Sequence, residues 1–72
     1  MNNFKLFVYT GYGKEYLDGS ASEGYSLQAA IYLARENASA MPGKRIYIEN
    51  GDTCKEVQSV INVNGRLSTE LY

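Results

Sequence analysis

The chain has 72 residues and a mass of 8.0 kDa, which is room for one domain, 1–72, with a thin core. Seven basic and eight acidic side chains give a net charge of −1, which argues against a generic nucleic-acid binder and against an acidic mimic of DNA. Histidine is absent and Cys54 is the only cysteine. A catalytic pair built on histidine, a zinc site and an internal disulfide are therefore excluded within this chain.

The N-terminus shows no signal-peptide pattern, and no apolar run approaches the roughly 20 residues that cross a bilayer. We therefore expect a cytoplasmic protein with no membrane partner, no metal and no cofactor. Seven tyrosines, against two phenylalanines and no tryptophan, are the unusual count. Tyrosine joins an apolar ring to a polar tip and is enriched at protein interfaces, although tyrosines can also line the rim of a thin core.

The beginning of the chain predicts a β-hairpin. Residues 4–10 are rich in aromatic and β-branched side chains and alternate so that Phe7 and Tyr9 share one face. Glycines within 11–13 indicate a turn, and 14–17 then form a short return strand. The glycine spacing does not match a phosphate-binding loop, so the turn is the better interpretation.

A helix is predicted next. Ser26 is the preferred N-cap, with Ser22 as the second candidate, because a serine hydroxyl can accept from the free N–H groups of the first turn. Pro42-Gly43 ends the helix. One helix face carries an apolar stripe at helical spacing, made of Leu27, Ala30, Ile31, Ala34 and Ala38.

The second half predicts a three-stranded meander that begins with residues 45–49. Ile46 and Ile48 alternate toward the core, so that Arg45, Tyr47 and Glu49 face away from it. Asn50-Gly51 predicts a hairpin into a partner strand over 53–63.

The register of this partner strand is ambiguous, and a bulge between Cys54 and Ser59 would resolve it. Asn64-Gly65 predicts a second hairpin into the last strand. A three-residue loop with left-handed Gly65 would place Ile61 opposite Leu67 and Val57 opposite Leu71.

These elements define an α+β fold of order β-β-α-β-β-β, with a single helix on one face of an antiparallel sheet. The other face is left to water or to a partner. Aromatic side chains on that face favour protein recognition, although tyrosines on strands also serve cross-strand pairing. The candidate partner-binding residues are Tyr9, Tyr12, Tyr16, Arg45 and Tyr47.

We expect no catalytic residue and no enzymatic activity. Cys54 beside Lys55 lacks a base or a second cysteine, which favours an inert thiol that is buried or half-buried. The carboxylates of Glu49 and Asp52 are interpreted as solvated flanks of a turn, since no companion groups for acid–base chemistry are evident.

The chain resembles small single-domain proteins of phages and mobile elements, in particular anti-CRISPR proteins that inhibit type I effector complexes. The resemblance lies in the order of the first hairpin, the helix opening Ser26-Leu27-Gln28, the strand 45–49 and the closing hairpin at Asn64-Gly65. It implies a non-enzymatic inhibitor in the cytoplasm of a bacterial host, acting by covering the surface of a Cas subunit. The group shares no catalytic motif, so the resemblance assigns no functional residue.

Two alternatives from other classes stay open. One is a nucleic-acid-binding accessory domain, with Tyr9 and Tyr47 stacking on bases and Arg45 and Lys55 near phosphates. The other is a structural or assembly module, in which the first or the last strand pairs with a partner edge. The chain is accordingly expected as a monomer or a weak homodimer.

Overall fold

A computed structural model describes residues 3–17 and 24–72 of the chain. The five strands form one antiparallel sheet in the order β2-β1-β3-β4-β5, and the helix packs on one side of it. The predicted α+β class and the order of elements are confirmed. The elements are β1 (Phe4–Thr10), β2 (Gly13–Tyr16), α1 (Leu27–Ala40), β3 (Arg45–Asn50), β4 (Lys55–Val63) and β5 (Arg66–Leu71).

The helix begins where the sequence predicts. Ser26 is the N-cap in extended backbone conformation, and its Oγ accepts a hydrogen bond from the backbone N–H of Ala29 at 3.2 Å. The alternative cap, Ser22, lies outside the described residues. The buried positions of the helix are Ala30, Ala34 and Ala38, whose short side chains let the backbone approach the sheet closely.

The core lies between this alanine stripe and the covered face of the sheet. Alternation along each strand directs every second side chain toward that face, and most of these side chains in β1 and β3 are apolar. Each of the central contributors is 5% exposed or less, so β1, β3 and β4 share one continuous core. These contributors are Leu6, Val8, Ile46, Ile48 and Val60.

The loop between β3 and β4 is longer than the Asn50-Gly51 dipeptide suggests. Asn50 pairs with Lys55 across a four-residue loop, and Cys54 takes a left-handed φ of 59° at its end. The thiol of Cys54 is exposed in this loop, so its expected burial is wrong. Asn50 Oδ1 accepts from the backbone N–H of Asp52 at 2.9 Å, which stabilises the turn. The predicted bulge is confirmed, since the register shifts opposite Ile48 and Glu49 and leaves Val57 without a paired residue.

The predicted register of the last hairpin is wrong. Asn64 and Gly65 both have a left-handed φ, 56° and 82°, and form a two-residue loop whose twist matches that of the flanking strands. Leu67 therefore lies opposite Asn62, and Leu71 lies opposite Gln58. The expected pairs Ile61–Leu67 and Val57–Leu71 do not form.

The order of strands also decides which edges are exposed. β1 lies between β2 and β3, so the expectation that the first strand could pair with a partner edge is wrong. The edges of the described sheet are the short β2 and the longer β5. No helix within 3–17 and 24–72 combines the length and the apolar character that crossing a bilayer requires.

Candidate functional site

The face of the sheet opposite the helix, here called the open face, carries a cluster of four aromatic rings. Phe7 of β1 lies opposite Tyr16 of β2 and also opposite Tyr47 of β3. Tyr9 follows two positions after Phe7 and therefore points to the same side. Strand register thus brings Phe7, Tyr9, Tyr16 and Tyr47 together, and we call these four residues the aromatic cluster.

Ring contacts hold the aromatic cluster in a defined geometry. Phe7 and Tyr47 are stacked, with ring centroids 5.2 Å apart and planes at 11°. Tyr9 meets both rings edge-on, at 5.2 Å from Phe7 and 5.1 Å from Tyr47, and Tyr16 meets Phe7 edge-on at 6.0 Å. Phe7 is completely buried although it faces away from the helix, while Tyr9 remains 48% exposed. The open face therefore has a small apolar core of its own.

A buried carboxylate borders the aromatic cluster. Glu49 is only 2% exposed, and its Oε1 accepts from Lys14 Nζ at 2.7 Å while its Oε2 accepts from the Tyr16 hydroxyl at 2.8 Å. Lys14 lies on β2, two strands away from Glu49, so its side chain crosses β1 and passes 4.5 Å above the Phe7 ring. The ion pair thus connects the edge strand to the centre of the sheet and covers Phe7.

These contacts shift the pKa values of three groups upward. The hydrogen bond to Glu49 raises the pKa of Lys14 above its usual 10.5, because it favours the charged ammonium, and partial burial opposes this effect. The same carboxylate raises the pKa of Tyr16 above 10.0, with burial adding to the effect. A 2.7 Å hydrogen bond from the Tyr9 hydroxyl to Glu56 raises the pKa of Tyr9 in the same way. All three groups therefore keep their protons at neutral pH.

A second polar cluster lies further along the open face. Arg45 donates to Ser59 Oγ at 2.9 Å and lies 3.6 Å from the carboxylate of Glu70. The Ser59 hydroxyl and the Tyr72 hydroxyl share a hydrogen bond at 2.8 Å. The guanidinium of Arg45 is thus already paired within the chain.

The five candidate residues predicted from the sequence separate into three groups. Tyr9, Tyr16 and Tyr47 belong to the aromatic cluster, and Arg45 belongs to the second polar cluster. Tyr12 stands apart in the turn between β1 and β2, where its side chain is fully exposed.

Glu49, Ser59 and Tyr72 also belong to the open face, although none of them was among the predicted site residues. Glu49 was interpreted as a solvated turn flank, yet it is buried, because Lys14 reaches it from another strand. The bulge in β4 places Ser59 opposite Tyr47. The two-residue hairpin then sets the register of β5, which brings Tyr72 to the same face. Alternation along β3 indicates that Glu49 shares a face with Tyr47, and this was the sequence signal for placing Glu49 on the open face.

The nucleic-acid alternative gains no support from this arrangement. Lys55 pairs with Asn50, which alternates onto the helix side of β3, so Lys55 does not share a face with Tyr9 and Tyr47. Arg45 is engaged by Glu70. A stacking platform for bases needs free cations beside its rings, and the candidates named for that role are absent from it or already paired.

No group of three or more His, Cys, Asp or Glu side chains that could hold a metal ion occurs in the part of the chain that the structure describes. A separate open cavity of about 530 Å³ lies at the turn between β4 and β5. It is lined by Val63, Asn64, Arg66, Leu67 and Ser68 and does not adjoin the aromatic cluster.

No protein-family model, curated protein or solved structure matches this chain. Its function is therefore inferred from its own residues.

Proposed function

We propose that the protein is a non-enzymatic inhibitor that binds a protein partner with the open face of its sheet. The observation that carries the proposal is Tyr9, a member of the aromatic cluster whose side chain is nevertheless 48% exposed. A partner would meet Tyr9 with its ring already fixed by Phe7, Tyr47 and the hydrogen bond to Glu56. An ordered aromatic anchor binds with little further loss of conformational entropy.

The charge pattern of this surface favours a protein partner over a polyanion. Glu49 and Glu70 neutralise Lys14 and Arg45, and Glu56 accepts from Tyr9. A surface of paired charges around exposed tyrosines has the composition of a protein interface, with aromatic anchors and a polar rim. Glu49 is covered by its partners, so the proposal includes no acid–base chemistry at this carboxylate.

The resemblance to anti-CRISPR proteins gives the proposal its narrower form. In this form the partner is a subunit of a type I CRISPR–Cas effector complex, and the protein, encoded by a phage or mobile element, blocks it sterically. Contact alone is sufficient for this mechanism, so a small rigid domain without catalytic groups can perform it.

The experiment is retention of purified type I effector complexes on the immobilised protein, together with plaque counts of a CRISPR-targeted phage in cells that express it. We expect retention of a Cas subunit and recovery of plaques. Retention of no Cas subunit, combined with no recovery of plaques, would refute the narrower proposal.

The surface is tested with two matched tyrosine variants. Tyr12→Ala removes a fully exposed side chain and should weaken retention about tenfold or more without changing stability. Tyr32→Ala removes a tyrosine that is 63% exposed on the helix, away from the open face, and should leave retention unchanged. Loss only with Tyr32→Ala would show that another surface binds, and equal retention of both variants would show that Tyr12 is not part of the contact.

A further inference from the structure

Strand β5 is the longer of the two sheet edges. Within 3–17 and 24–72 it pairs only with β4, and most of its side chains are exposed. Leu71 is 74% exposed, which is a large apolar side chain left open to water at a strand edge. Such an edge presents unpaired backbone groups to another strand.

The hairpin register shows which backbone groups these are. Val63 and Arg66 flank a two-residue loop and therefore exchange both of their hydrogen bonds. Hydrogen-bonded pairs alternate along the ladder, so even-numbered residues of β5 point their N–H and C=O groups toward β4. The bond from Tyr72 N to the carbonyl oxygen of Val57, 3.1 Å long, follows the same parity. Leu67, Thr69 and Leu71 consequently direct their backbone groups outward.

We propose that β5 pairs antiparallel with β5 of a second copy of this chain, with Thr69 opposite Thr69 of the second copy. In this register Leu67 lies opposite Leu71 of the second copy, and the reverse pair forms by symmetry. All three outward residues then become hydrogen-bonded, giving six backbone hydrogen bonds. The exposed Leu71 gains an apolar neighbour on the helix side of the sheet.

Charge and packing select this register over its neighbours. Moving the two-fold centre toward the chain end, to Glu70, sets Glu70 opposite the same carboxylate of the second copy, which is repulsive. Moving it to Ser68 leaves Leu71 opposite Gly65, with no side chain to contact. In the proposed register Arg66 lies diagonal to Glu70 of the second copy, within reach of a long side chain of opposite charge.

The other edge is a weaker candidate for self-pairing. β2 has four residues, and its pairing with β1 across a two-residue turn leaves only Lys14 and Tyr16 with outward backbone groups. Both of their side chains are engaged by Glu49 on the open face. β5 offers three outward residues and an unsupported leucine.

The paired sheets have ten strands, and the two-fold axis perpendicular to them places both open faces on the same side. A dimer would therefore present two copies of Tyr9 and Tyr12 to one partner or to two. The pairing stands on the edge geometry alone and does not depend on the proposed inhibitor function.

Sedimentation equilibrium at protein concentrations from about 10 µM to about 1 mM tests the pairing, because an interface of this small size is expected to associate weakly. The weight-average mass should rise from 8.0 kDa toward twice that value. Hydrogen exchange at the higher concentration should slow at the amides of Leu67, Thr69 and Leu71. A monomer mass throughout, or protection confined to other strands, would overturn the proposal.

Two variants at one position separate backbone pairing from side-chain effects. Thr69→Pro removes an outward N–H, which edge strands tolerate, and should raise the dissociation constant about thirtyfold, because one hydrogen bond is lost from each copy. Thr69→Val keeps the N–H and should leave association intact. Leu71→Lys should also favour the monomer, because it replaces the leucine that would contact Leu67 of the second copy. Leu71 is exposed in the single chain, so this variant should fold and can be tested if Thr69→Pro does not fold. Association that persists in folded Thr69→Pro or in Leu71→Lys would overturn the proposal.

Discussion

Replacing Lys14 with methionine should destabilise the protein, although Lys14 lies on the short edge strand β2. The methionine side chain can still lie over the Phe7 ring, but it removes the ammonium that pairs with Glu49 at 2.7 Å. Glu49 is then a carboxylate, 2% exposed, that has lost its 2.7 Å ion pair and keeps the hydrogen bond from the Tyr16 hydroxyl. The expected effect is therefore the cost of a buried charge left without its counterion.

The magnitude follows from how deeply the pair is buried. Removing one partner of a fully buried ion pair costs about 3–5 kcal/mol. The Lys14 side chain is 33% exposed, so water can reach the position it leaves and the Tyr16 hydroxyl remains. We expect a loss of about 2 kcal/mol, which corresponds to about 8–16 °C in the melting temperature of a domain of this size.

Urea unfolding at pH 7, followed by circular dichroism, measures this loss, and a double-mutant cycle isolates the pair. Glu49→Gln removes the charge while keeping the shape. We therefore expect Lys14→Met to cost about 1 kcal/mol less in the Glu49→Gln background than in the natural sequence. Strictly additive effects, or a Lys14→Met variant as stable as the natural protein, would refute the role assigned to the ion pair.

Three other predictions concern stability. The pKa values of Lys14 and Tyr16 are raised in the fold, so their contribution to folding stability is complete below the usual values of 10.5 and 10.0 and is lost as pH rises through the raised values. The urea midpoint should therefore fall above about pH 10, and it should fall less steeply in Tyr16→Phe. An equal slope in that variant would contradict this expectation. Ser26→Ala should lower the free energy of unfolding, measured in urea, by about 1 kcal/mol, because it removes the cap of α1. Ser26→Asp also caps a helix and should keep most of this stability. Ala34→Leu should cost about 1–3 kcal/mol, since Ala34 is 1% exposed between helix and sheet, and a melting temperature that is unchanged or higher would show spare space there.

Local patterns were sufficient to predict the elements and their faces. The change from period 2 to helical spacing after Ser26 predicted α1, and alternation along β3 separated Ile46 and Ile48 from Tyr47. These features depend on neighbouring residues alone. The aromatic cluster was predictable in part, because Tyr9 and Tyr47 were placed on one face before their contact was known.

Features that depend on pairing between strands were not predictable in this way. The two-residue loop at Asn64-Gly65, rather than a three-residue one, shifts every partner in β5, and the choice depends on strand twist. The burial of Glu49 requires Lys14 to reach across an intervening strand. Asn-Gly itself favours the two-residue loop, but the alignment of apolar side chains favoured the three-residue register. Alternation along β3 gives the face of Glu49 without its burial.

The most direct test of the central claim is a nuclear magnetic resonance titration of the isotope-labelled protein with its captured partner. Binding through the open face predicts that the largest shifts and losses of signal occur at Tyr9, Tyr12, Tyr16 and Tyr47, with the exposed side of α1 around Tyr32 unaffected. Changes confined to α1, with the four tyrosines unperturbed, would contradict the account.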